Sequence, residues 1–146
     1  MARSIDSAKR VINGTFGQVW LDGDKVAECT ALQAKIAKNK TDINLCGQFM
    51  IDTKATGGKG TGSLTLYKVD SGMAQRLSGV QDGIDRRFSI VSDLKDPDSY
   101  GSERVALYNV SFDDLTLADW KAATVGEVTA PFTFTKYEFL DEIEVQ

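Results

Sequence analysis

A chain of 146 residues has room for one domain, and folding at that size takes roughly 70% of the unfolded surface out of water, so a core needs neither metal nor disulfide. With 42% apolar and 26% charged residues, the composition excludes a disordered, collagenous or low-complexity chain. The net charge of −4 is uneven, since residues 1–73 carry ten Lys or Arg against seven acids and residues 74–146 seven against fourteen; such a chain grips phosphates poorly, but its halves allow like subunits to meet through opposite patches.

Residues 1–13 fit no pattern and read as an N-terminal arm. Scarce proline, at Pro97 and Pro131 alone, favours strands over most of the remaining chain. Residues 18–21 form a short strand turned by Asp22-Gly23-Asp24, a strong hairpin signal. From 25 to 38 the apolar residues Val26, Leu32, Ala34 and Ile36 fall on even positions, which predicts an unusually long strand, and 41–45 continues it past a polar break at Asn39-Lys40. The stretch 53–62 (TKATGGKGTG) is the one glycine-rich segment, so 46–60 reads as a flexible hairpin loop. Residues 63–69 resume the alternation, with Leu64 and Leu66 on one face and Ser63, Thr65 and Tyr67 on the other.

After Asp70-Ser71, a natural N-cap, Met73, Leu77 and Val80 recur at helical spacing, and Gly79 and Gly83 stop the helix. Residues 87–94 and 103–112 read as strands around a turn-rich loop, and a phase slip between Leu107 and Tyr108 implies a bulge or two buried faces. Residues 113–123 fit a strand extension or a helical turn equally. Residues 126–139, with Phe132 and Phe134 on one face, form a last strand before an acidic tail. The expected fold is mainly β (α+β): a single domain over 1–146, a β-sandwich or barrel with one flanking α-helix and a long β-hairpin.

The chemistry-bearing motifs fail one by one. Histidine is absent, which removes the commonest general base and neutral metal ligand. Cys29 and Cys46 lie outside any CxxC pattern and read as free thiols. Gly58-Lys59 is followed by Gly60, not Ser or Thr at a helix start, so the phosphate-binding loop fails, as does a dinucleotide loop. Asp96, Asp98, Tyr100 and Gly101 imitate the start of a calcium loop, yet Tyr100 sits at the third ligand position and Leu107 at the closing acid; a turn is the better reading. The adjacent acids Asp113-Asp114 and Asp141-Glu142 point to opposite faces of a strand and do not converge on one substrate. No enzyme, cofactor or metal site is expected. The longest apolar run, Val105 to Tyr108, is far too short to cross a bilayer, and MARSIDSAKR lacks a signal-peptide core, so the expectation is a protein without a membrane anchor that stays where it is made. An overlong amphipathic hairpin is an edge liability in a monomer and is better explained by pairing with further copies.

The succession GQVWLDGDKV, AKIAKNKTDINLCGQFM, TGGKGTGSLTLYKVDS, SERVALYNVSFDDL and APFTFTKYEFLDEI resembles the tail tube proteins of contractile phage tails and defective-phage particles, the PBSX-type (XkdM-like) family, over residues 17–143. The resemblance implies a structural subunit made in the bacterial cytoplasm, closing into hexameric rings that stack into the inner tube of a contractile phage tail or an R-type bacteriocin (tailocin). It also implies tail sheath, tape measure, baseplate and tail terminator proteins as partners, with DNA only as transient cargo, or ions, passing through the conduit. In that setting the loop is expected to order against the next ring, with Phe49, Met50 and Ile51 as apolar anchors beside Thr53, Lys54, Gly57, Gly58, Lys59 and Gly60. The hairpin residues of opposite parity to the core, Cys29, Ala31, Gln33, Ser63 and Thr65, are expected to face the lumen. Lys35 shares that parity and fits a smooth duct poorly. The competing reading is a small intracellular ligand-binding β-barrel module, which requires a large cavity lined by the apolar strand faces.

Overall fold

The computed structural model describes residues 6–143, so the first part of the expected N-terminal arm lies outside the described residues. Its antiparallel sheet runs in the order β2-β1-β5-β6-β7-β4-β3, with β8 branching from β6. Strand β1 (Gly17–Leu21) turns at Asp22-Gly23, both at positive φ, into β2 (Asp24–Lys25), as the Asp-Gly signal predicts. The long strand does not begin there: the chain leaves the sheet over 26–28, with Val26 buried, and β3 starts at Cys29 and runs to Ile43. It pairs with β4 (Asp52–Tyr67), a strand of 16 residues.

This corrects the loop reading of 46–60. Only 44–51 turn the hairpin, and Asp52 to Gly60 are hydrogen-bonded strand. The polar break at Asn39-Lys40 is a bulge: Asn39 opposes Gly57, Lys40 opposes Ala55, and the extra residue, Thr56, donates its hydroxyl to the Asn39 carbonyl at 3.2 Å.

The expected helix is shorter than its stripe. Helix α1 spans Gly72–Arg76, and Asp70 Oδ1, not Ser71, accepts from the Gly72 N–H at 2.8 Å. Gly79 at φ 94° breaks the chain before Val80, so Met73 and Leu77 reach the core while Val80 stays exposed. Strands β5 (Phe88–Leu94) and β6 (Glu103–Phe112) stand where alternation places them. The phase slip is a bulge, since Ile90 opposes Leu107 but Phe88 opposes Val110, and Asn109 takes φ 58°.

At that bulge β6 changes partners and the sheet folds over. Its first part lies between β5 and β8 (Lys136–Asp141), while Ser111 and Phe112 pair with β7 (Glu127–Phe134). The single last strand expected over 126–139 is therefore two strands, broken at Thr135. There the Thr135 N–H donates to the Tyr108 carbonyl at 3.3 Å and its hydroxyl accepts from Asn109 Nδ2 at 3.0 Å. Residues 113–126 form neither strand nor helix.

The space between the folded-over layers is filled by side chains. Leu21, Leu64, Ile90, Val110 and Phe132 are fully buried. An edge-to-face row links Phe88, Phe112 and Phe132 at centroid separations of 5.5 and 5.9 Å. A ligand-binding barrel needs that volume open, so the core itself counts against the competing reading.

Candidate assembly interface

Beyond Gly60 toward the tip, β4 pairs with β3 alone among the described residues, because β7 covers it only from Gly60 to Tyr67. The tip end of the hairpin is thus a two-stranded ribbon projecting from the body, with both outer edges unpaired and every residue from Gln33 to Lys59 exposed. Such a ribbon is marginal in water by itself.

Within the body, the two faces of the hairpin differ sharply. On the core face Leu32 and Leu64 meet Ala130, while Gly62 opposes Phe132 and Gly60 opposes Phe134. These glycines are there for room. A Cβ on Gly62 would lie 2.6 Å from Phe132 Cζ, and one on Gly60 would lie 2.7 Å from both the Phe134 ring and its carbonyl oxygen. The segment looks flexible in sequence, but Gly60 and Gly62, two residues apart on one face, give the aromatic rings of β7 a place to lie. That alternation was the available signal.

The opposite face carries Ala31, Gln33, Lys35 and Ala37 of β3, across from Thr65, Ser63, Thr61 and Lys59 of β4, and continues onto Thr129, Pro131 and Thr133 of β7. The structure therefore brings Ala31, Gln33, Ser63 and Thr65 onto one small, polar surface. Cys29 is the exception and a correction: a register shift between Cys29 and Ala31 sets it opposite Leu66, where it packs against the core. Burial pushes its thiol above the ordinary value. Lys35 and Lys59 sit in adjacent cross-strand pairs on the polar face.

Phe49, Met50 and Ile51 lie together in the tip, Phe49 being 97% exposed, and Cys46 is exposed beside them. Gly47 at φ 80° makes the turn, and Gln48 Nε2 donates to the Met50 carbonyl at 2.9 Å. Thr53, Lys54, Gly57, Gly58 and Lys59 are strand residues of the ribbon, whereas Gly60 is buried under Phe134. Sequence reasoning missed a second apolar exposure. Leu117 is 82% and Trp120 86% exposed in the irregular segment 113–126, and the lack of periodicity there hid both.

Residues 6–13 do not hang free. Arg10 binds Asp6 at 3.0 Å, donates to the Asp98 carbonyl and lies over the Tyr100 ring at 4.8 Å. The Asp6 carboxyl is held below its ordinary value by that guanidinium. Asp96 is buried and accepts from the N–H groups of Asn13 and Asp98, both at 2.9 Å, so its carboxylate organises the turn.

The described residues thus combine a filled core, a projecting ribbon and an exposed apolar tip. A sequence profile of the family described as phage tail tube protein matches residues 5–141. The PBSX phage-like element protein XkdM of Bacillus subtilis (strain 168) is 34% identical over 139 residues, covering 93% of this chain and 95% of that protein. Among solved structures, the fold is similar to a chain of an extracellular contractile injection system sheath–tube complex in the extended state, with TM-score 0.71, 10% identity and coverage of 94% and 98%. It is also similar to a chain of that system's sheath/tube terminator, with TM-score 0.74, 8% identity and coverage of 92% and 100%. A chain from the tail of an empty gene transfer agent particle, refined helically with C6 symmetry, gives TM-score 0.52 at 10% identity, with coverage of 94% and 100%. The chain belongs to the phage tail tube protein family, and its role is that of a structural component of a tail or tail-like particle.

Proposed function

We propose that copies of this chain close into hexameric rings and that the rings stack into a hollow inner tube, made in the bacterial cytoplasm and enclosed by a contractile sheath. The observation that carries this reading is the projecting β3–β4 ribbon, whose unpaired edges offer backbone N–H and C=O groups for pairing with other chains. The six-fold symmetry of the gene transfer agent tail, which shares the fold, supports the ring order. A second open site supports lateral contact. Between β3 and β8 the body presents an apolar groove lined by Ile36, Phe134, Tyr137 and Phe139, where a neighbouring subunit in a ring can cover it.

The Thr, Ser, Gln and Ala surface of the hairpin suits a channel lining, because small polar side chains offer passing phosphates no strong cationic grip. Lys35 and Lys59, at its ribbon end, are assigned to contacts between subunits. Sheath, tape measure, baseplate and tail terminator are the further partners of this role, and DNA or ions the transient cargo.

Electron microscopy of the concentrated protein tests the assembly: hollow tubes of uniform diameter are expected, and a monodisperse monomer at all concentrations refutes it. The lining is tested separately by thiol labelling of Gln33→Cys and Thr65→Cys in open-ended tubes. Both positions accept small reagents and exclude bulky ones if they face the channel; labelling of neither by small reagents removes the hairpin from the lining.

A further inference from the structure

The two sides of the β3-β4-β7 layer are unlike. On the β7 side the layers are joined, because β6 passes through its bulge at Asn109 from pairing with β5 to pairing with β7 at Ser111 and Phe112. The chain then runs on as the irregular segment 113–126, which lies beside Val128 and exposes Leu117 and Trp120. On the β3 side the layers stay apart. There β3, last in the strand order, stands over the inner face of the other layer, and a groove of about 420 Å³ opens between them, walled by Leu32, Ile36, Val105, Phe134, Tyr137 and Phe139. Ile36, Tyr137 and Phe139 are about half exposed, so this apolar wall lacks a cover.

A knob and a socket on opposite edges of one sheet do not meet within a chain. They meet between copies placed edge to edge, and such a contact closes into a ring when the rotation between copies permits. Register decides whether the knob reaches the socket. Ala34, in the middle of the socket, lies level with Phe132 through Gly62, four residues or about 13 Å of strand from Val128 beside the knob. Strands that line a closed tube tilt by about 35–45°, so four strands about 4.8 Å apart stagger adjacent copies by about 13–19 Å along the strand. The offset is therefore of the size that ring closure supplies. Charge does not oppose the contact: Asp119, Lys68 and Lys121 stand about Trp120, and Glu103 and Lys35 border the socket.

We infer that Leu117 and Trp120 of each copy enter the groove between β3 and β8 of its neighbour in the same ring. This rests on the ring reading above and names the side chains of its lateral contact. The indole covers Ile36, Tyr137 and Phe139, and Asp119 reaches Lys35, one of the two lysines assigned to contacts between subunits.

The test is a cross-link. In a Cys46→Ser background, Ala34→Cys in the groove and Ala118→Cys between Leu117 and Trp120 leave the apolar walls in place. In assembled tubes a short bismaleimide is expected to give a ladder that stops at the size of one ring, absent from dispersed subunits and from either single variant. Trp120→Ala and Phe139→Ala should each raise the concentration at which tubes appear about tenfold, and the double variant little further, with the circular dichroism and thermal unfolding of the dispersed subunit unchanged. Tubes that give no ladder, a ladder that runs past one ring, or single-variant effects that simply multiply overturn the contact while the tube reading stands. Wild-type protein that stays monomeric at every concentration removes the ring reading, and the contact with it.

Discussion

A methyl group added at Gly62 would press into Phe132 and the Gln33 carbonyl, in a strand clamped on both sides by β3 and β7. Neither obstacle is the free end of a flexible chain, so the ring or the backbone has to move. Overpacking of this kind costs about 1–3 kcal/mol. Gly62→Ala should lower the stability of the dispersed subunit in urea by that much, whereas Gly57→Ala, which meets nothing closer than Asn39 Nδ2 at 3.9 Å, should leave it near wild type. Leu64 and Thr65 make the same point for charge. Leu64 is wholly buried, and an unpaired carboxylate there costs several kcal/mol against a total stability of about 5–15 kcal/mol. Leu64→Asp should therefore fail to fold, while Thr65→Asp, on the polar face, should keep a wild-type circular dichroism spectrum. Cys29 and Cys46 should separate in alkylation. Cys46 is exposed and reacts first; Cys29 is partly buried with its pKa raised, so at any pH below that pKa it carries less thiolate, and it catches up only in denaturant. Because the folded pKa is the higher one, the stabilising contribution is complete below the unfolded pKa. It declines as pH rises toward the folded value, and Cys29→Ala should flatten that alkaline decline.

Elements differ in how far the sequence reveals them. The strands at 88–94 and 103–112 and the turn at Asp22-Gly23 were legible because local alternation and turn chemistry determine them. The glycine-rich half of β4 was not, since the reason for Gly60 and Gly62 lies some 70 residues away in Phe134 and Phe132. Nothing local breaks the strand at Thr135 either; the break comes from β6, whose bulge at Asn109 turns one layer onto the other. Alternation placed Ala31, Gln33, Ser63 and Thr65 on one face but misplaced Cys29, because the bulge beside it inverts parity. The ribbon's stability is set by the same partners. With one partner strand and no covered face, its amides between Lys38 and Ala55 should exchange rapidly in the dilute subunit. In tubes they should become protected, and equal protection in both states would remove the ribbon from the assembly contacts.

For the whole molecule, net charge and local charge oppose each other in assembly. Copies each carrying −4 repel, and salt relieves that repulsion. Opposite charges brought together where subunits meet attract, and salt weakens that attraction. Distance decides between them. Paired side chains approach to about 4 Å, well inside the ~10 Å screening length of 0.1 M salt, whereas the diffuse negative charge of two subunits acts over longer separations and is already screened there. Above about 0.1 M the residual salt dependence therefore reports the contacts. Light scattering should show the concentration needed for tube growth rising between about 0.1 and 0.5 M NaCl, and Lys35→Glu with Lys59→Glu, at the lysines assigned to contacts between subunits, should raise it at low salt and flatten the slope. Growth that is favoured throughout by added salt, with the double variant indistinguishable from wild type, would mean that these lysines make no charged contact between subunits and that the joint is apolar alone.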